Sequence, residues 1–142
     1  MKTIQFIKPI DEIDLPFVKV TNGNFKGMIF LVDTGCNNSI IFTDSLEKYG
    51  QYLQMEPNEE EYLYGIDSIE HSVPVVMAKI NIMGRKHESK FLLSDQSETV
   101  KIVASHVGLE AHGILGVNFF RLYGWVIDFN NEQIYMMEEK NK

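Results

Sequence analysis

Apolar residues in this chain fall in short runs, and turn formers close nearly every run. That pattern fits strands far better than helices. Phe17-Val18-Lys19-Val20 and the stretch 25–32 flank Asn22-Gly23, a hairpin signal because both residues tolerate positive φ. Ile40-Ile41-Phe42 reads as a short strand. Residues 62–82 read as a long hairpin turning near Gly65-Ile66-Asp67-Ser68, with Pro74 marking an edge in its returning strand. Residues 80–82 and 89–93 form a second hairpin near Gly84-Arg85, Lys101-Ile102-Val103-Ala104 is a strand, and 125–129 with 133–137 close a last hairpin around Asn130-Asn131. Two short helices are expected. One spans 44–49, with Asp44 and Glu47 as a capping box and Gly50 as its stop; the other spans 118–123 and ends at Gly124. The prediction is an all-β, closed barrel-like domain with two short helices. No linker or repeat divides residues 1–142, so a single domain with its core at about 17–137 is expected.

Composition removes several function classes. The formal net charge of -7, with no Lys or Arg run, argues against a nucleic-acid partner. Cys36 is the single cysteine, so neither an intrachain disulfide nor a cysteine-rich zinc site can be built. His71, His87, His106 and His112 are scattered without metal-ligand spacing, and there is no phosphate-binding glycine loop. No metal and no cofactor are expected. Glu59-Glu60-Glu61 reads as a solvated face. The first residues lack a signal-peptide apolar region, and no membrane-spanning segment is visible. A cytoplasmic location is the default expectation.

The chemistry lies where the run Phe30-Leu31-Val32 ends abruptly in Asp33-Thr34-Gly35. A buried strand delivers one carboxylate into a turn, with a small hydroxyl beside it and a glycine after it. A carboxylate on so rigid a support is placed for acid–base work. Far along the chain stands His112-Gly113-Ile114-Leu115-Gly116-Val117-Asn118-Phe119-Phe120, ahead of Ile127-Asp128-Phe129. Together with a central flap-like hairpin, these elements resemble the retropepsin-like aspartic proteases, the single-domain relatives of pepsin. The resemblance covers about residues 17–137.

It implies a homodimeric endopeptidase acting on an extended peptide or protein. Two carboxylates share one proton: the ionised one takes a proton from water, and the neutral one polarises the scissile carbonyl. With one Asp-Thr-Gly per chain, both would be Asp33, one from each subunit. Asp128, inside Ile-Asp-Phe with no Thr-Gly after it, is a poor second aspartate. By the same resemblance, Thr34 would reach across the dimer axis; read locally, it is a turn-forming hydroxyl. Gly35 would let a backbone N–H approach the carboxylate. Gly116 would pack behind the loop, or simply start the next turn. Tyr64, Gly65, Ile66 and Asp67 would form the tip of the substrate-binding flap. Residues 4–6 and 134–136 are the apolar strands that could build an interface sheet.

Three positions depart from the family pattern. Cys36 stands where Ala or Ser is usual, and it reads either as apolar filler or as a weak donor near the carboxylate. In the second reading a serine would favour the charged carboxylate. His112 and Asn118 stand where many bacterial relatives carry Asp, and neither is expected to do chemistry. The rival reading is a non-catalytic retropepsin-like module that binds peptides or dimerises. A further alternative is an unrelated β-domain with a chance Asp-Thr-Gly.

Overall fold

A strand covered by apolar layers on both faces needs no alternation of polar and apolar residues. Ile29-Phe30-Leu31-Val32 has none, and the computed structural model shows why. Phe30 and Val32 face one hydrophobic cluster, while Ile29 and Leu31 face a second. The structure describes residues 2–7, 16–64, 70–82, 85–95, 98–106 and 108–136. Among them are ten strands: β1 (Lys2–Gln5), β2 (Phe17–Lys19), β3 (Ile29–Val32), β4 (Ser39–Phe42), β5 (Leu53–Tyr64), β6 (Glu70–Ile82), β7 (Arg85–Ser94), β8 (Gly113–Leu115), β9 (Trp125–Asp128) and β10 (Gln133–Met136). Three α-helices accompany them: α1 (Leu46–Tyr49), α2 (Glu98–Ser105) and α3 (Val117–Tyr123).

The all-β expectation holds. One sheet has the order β2-β3-β8-β4-β7-β6-β5, and a second has the order β1-β10-β9. No pairing among the described residues joins the end strands β2 and β5. The first cluster lies between the two sheets. It gathers Phe30, Phe91 and Leu115 from the large sheet, Ile4, Ile134 and Met136 from the small one, and Phe119 and Phe120 of α3. The second covers the other face with Phe17, Phe42, Leu92 and Ile114, and with Ala104 of α2.

Several expectations are corrected. Residues 101–104 are not a strand but part of α2. Their β-branched residues suggested extended chain, yet Val100 and Ala104, four apart, place one helical face on the second cluster. Among the described residues there are therefore three α-helices, not two. Asp44 forms no capping box; it pairs with Lys101 of α2. Gly50 does not stop the helix either, because its φ of -58° continues into a 3-10 turn through Tyr52. Gly124 does end α3, at φ 68° in the left-handed region that favours glycine. Pro74 lies in a strand flanked by two others. It is tolerated because β7 pairs only from Val75 onward, and β5 shifts register between Met55 and Glu60 opposite it. The strand after Asn22-Gly23 begins at Ile29 rather than at 25, behind a longer turn.

The apolar strands near the two ends of the chain pair with each other. Ile4 lies opposite Ile134 in the β1–β10 ladder, and β9 holds the other side of β10.

Candidate active site

β3 and β4 are consecutive along the chain but not neighbours in the sheet. β8 lies between them, parallel to β3 (Leu31 opposite Ile114) and antiparallel to β4 (Ile40 opposite Ile114). The connection from β3 to β4, residues 33–38, must therefore cross the end of β8. It carries Asp33-Thr34-Gly35.

That crossing fixes the loop through hydrogen bonds at each step. The Asp33 N–H donates to the Leu115 carbonyl (3.0 Å), Val117 N–H to the Cys36 carbonyl (2.8 Å), and Asn118 N–H to the Asn37 carbonyl (3.2 Å). Gly116 passes directly beneath. A Cβ there would stand 2.5 Å from the carbonyl oxygens of both Cys36 and Asn38, closer than any real contact, so only glycine fits. Its N–H donates to Ser39 Oγ (3.0 Å), and Ser39 Oγ donates to Asn118 Oδ1 (2.8 Å). Asn118 Nδ2 donates in turn to the Lys90 carbonyl on β7 (3.2 Å).

Asp33 is half-buried, and its Oδ1 accepts the Gly35 N–H at 2.9 Å. Gly35 is not in the left-handed region. What it contributes is clearance, since a Cβ would come to 3.1 Å from that same Oδ1. The side chain of Thr34 is exposed beside it. The carboxylate is thus aimed and held by backbone, with an open approach.

Cys36 behaves differently from the expected donor to Asp33. Its Sγ donates to the Asn38 carbonyl (2.9 Å), and the side chain packs against the second cluster. Burial chiefly pushes the thiol above its ordinary range; the Asn38 hydrogen bond pulls it down, and the charge of Asp33 adds a further upward push.

His112 stands at the other end of β8. Its Nδ1 accepts the Ile29 N–H (3.0 Å), so its proton sits on Nε2. Its backbone bonds to Ile29 and Phe42 (2.8 and 2.9 Å) tie β3 to β4. Burial lowers its pKa most, Glu110 opposes that, and Lys48 and Lys101 reinforce it. Asp128 caps the β9–β10 turn by accepting from the Asn131 backbone and side chain, bonds that hold its carboxyl below the usual range. Tyr64 is the last residue of β5, while Gly65, Ile66 and Asp67 lie outside the described residues. No group of three or more His, Cys, Asp or Glu able to hold a metal occurs among the described residues.

The sequence reading missed Ser39 and the structural role of Asn118. A serine heading Ile40-Ile41-Phe42 and an asparagine leading into Phe119-Phe120 are polar residues abutting apolar runs. Such positions often mark buried hydrogen-bonded pairs.

No protein-family model matches the chain, and neither does any curated protein. Solved structures do. The chain is similar to an EIAV protease complexed with the inhibitor HBY-793, at 17% identity over 71% of this chain and 81% of that one, TM-score 0.49. It is similar to the retroviral protease-like domain of Ddi1 from Leishmania major, at 14% identity over 95% and 91%, TM-score 0.47. A retropepsin-like aspartic protease from Rickettsia conorii matches at 15% identity over 93% and 85%, TM-score 0.49. All three are retropepsin-like proteases. Similarity at this level assigns no activity, which must rest on this chain's own residues.

Proposed function

We propose that the chain is an aspartic endopeptidase working as a homodimer, with one Asp33 carboxylate from each protomer. The observation that supports this most is the loop 33–38: a backbone-held carboxylate at the end of a buried strand, with access to solvent. Each chain carries one Asp-Thr-Gly, and Asp128 is committed to its turn. A water-activating pair then needs a second copy, and two-fold symmetry would bring the two loops together. Of two carboxyls in contact, only one ionises readily. The ionised one would take a proton from the attacking water. The protonated one would donate to the peptide carbonyl as charge develops there.

β10 already has neighbours on both sides, so a partner strand would add to the outer edge of β1 or β9. The hairpin of β5 and β6 would cover an extended peptide whose side chains beside the cut are apolar. A site inside the cell is the compartment we favour.

Asp33→Asn tests the mechanism. The amide keeps the shape but cannot accept the proton from water, so cleavage of a peptide library should vanish while the melting temperature holds. Unchanged turnover would refute an aspartic mechanism. Dilution tests the sharing of the site. Specific activity should fall as the dimer dissociates, and constant activity in a monomeric preparation would overturn it. A stable dimer that binds peptides without cutting them would point to the non-catalytic module instead.

A further inference from the structure

His87, on β7, is completely removed from solvent. Strand alternation turns it inward while Lys86 and Glu88 on either side are exposed. Three rings from two other elements enclose it. Phe119 of α3 stacks on it at 5.6 Å between centroids, Tyr123 of α3 meets it edge-on at 4.3 Å, and Trp125 of β9 lies tilted at 5.6 Å. The Trp125 indole Nε1–H donates to His87 Nε2 at 2.9 Å.

This bond sets the charge state. An accepting Nε2 leaves the ring proton on Nδ1, so His87 is neutral as built. An imidazolium carries hydrogen on both nitrogens, and the indole is a donor only. Protonation of Nε2 and the Trp125 bond therefore exclude each other. Of the ionisable groups on the packed elements, Lys79 (opposite Glu88 on β6) and Arg121 on α3 are exposed. The Tyr123 hydroxyl donates to the Glu88 carbonyl.

We infer that His87 and Trp125 form an acid-released latch, in which proton uptake by His87 breaks the indole bond and loosens β9 and α3 against β7. The two elements it would loosen matter. α3 begins with Val117 and Asn118, which hold the loop 33–38, and β9 is an edge of the small sheet. The latch stands whether or not the chain is a protease. If the chain is one, the latch would close activity on the acid side separately from protonation of the Asp33 pair.

Trp125 is the single tryptophan, so its fluorescence reports the bond directly. Lowering the pH below about 6.5, the ordinary histidine range, should give a one-proton loss of emission with a red shift. His87→Gln offers an amide oxygen to the same indole N–H and does not titrate. It should abolish that transition and leave only the unfolding expected near pH 4, where carboxylates protonate. The same transition in His87→Gln would overturn the latch. An NMR titration of the wild-type imidazoles decides the matter if that variant fails to fold. His87 should hold its Nε2 unprotonated to below the ordinary histidine range of about 6.5, with the Trp125 indole resonance moving in step. Titration of His87 in the ordinary histidine range of about 6.5, with a still indole signal, would refute it.

Discussion

Gly116→Ala is the most demanding test of how the Asp33 loop is supported. The added methyl would meet the Cys36 and Asn38 carbonyl oxygens at 2.5 Å and the Asn38 carbonyl carbon at 2.8 Å. All three are backbone atoms, so no side-chain rotation relieves the contact. The loop must shift by at least about half an ångström, and overpacking of this kind costs about 1–3 kcal/mol. The same shift disturbs the Val117-to-Cys36 bond and the buried Gly116-to-Ser39 bond, at about 1 kcal/mol each. The expected loss is about 3–5 kcal/mol. In a domain of this size that lowers the melting temperature by roughly 10–20 °C. Gly50→Ala is the matched control: its Cβ would meet Leu46 at an ordinary 3.5 Å in helical backbone. There, alanine should be neutral or stabilise by up to about 1 kcal/mol. Thermal melts of both variants by circular dichroism give the comparison. If Gly116→Ala melts within about 2 °C of the parent, less than 1 kcal/mol at this size, the loop does not rest on Gly116 and the account of its support is wrong.

Asn118→Ala strips Ser39 of an acceptor and the Lys90 carbonyl of a donor, and should cost about 1–3 kcal/mol. In an active enzyme it should lower kcat more than it raises KM; a normal melt with normal kcat would remove Asn118 from loop support. Cys36→Ser should leave the pH–rate profile in place, because the hydroxyl inherits the Asn38 carbonyl as acceptor; an upper limb moved toward acid would show the hydroxyl turned to Asp33 instead. Because the raised Cys36 pKa marks a neutral thiol that folding favours, its contribution is complete below the ordinary thiol range and is lost as pH rises through the folded value. Alkylation of the native protein should accordingly be slower than that of the unfolded chain well above neutral pH. The lowered His112 pKa has the opposite sign: its contribution is complete above about 6.5 and is lost as pH falls through the folded value. His112→Asn, which can still accept the Ile29 N–H, should flatten part of the acid-side fall in melting temperature, and an unchanged fall would contradict that assignment.

The Asp33 loop was legible because two local signals coincide there: an apolar run without alternation, and a turn triplet that ends it. Such a run implies a strand buried on both faces, which is where β3 sits. Residues 101–104 misled because β-branched side chains favour strands, while Val100 and Ala104 satisfy a helical face against the second cluster, and burial outweighs propensity. Asp44 misled because a nearby lysine competes for the carboxylate that a capping box would use. Ser39, Asn118 and the His87–Trp125 pair were invisible for another reason. Their partners lie 79 and 38 residues away along the chain, and no local pattern encodes such pairs.

The insertion of β8 between β3 and β4 also dictates when the site can exist. A growing chain makes Asp33-Thr34-Gly35 well before the strand that props the loop, which begins at Gly113, and before its helical clamp, which begins at Val117. Until those residues emerge, the segment has nothing to close upon, and the entropy of closing so long a loop must be met before any contact repays it. The chain should fold slowly for its size, with the loop among the last parts to set. Connectivity alone thereby leaves the Asp33 carboxylate without its backbone support until the segment from Gly113 to Asn118 has been made.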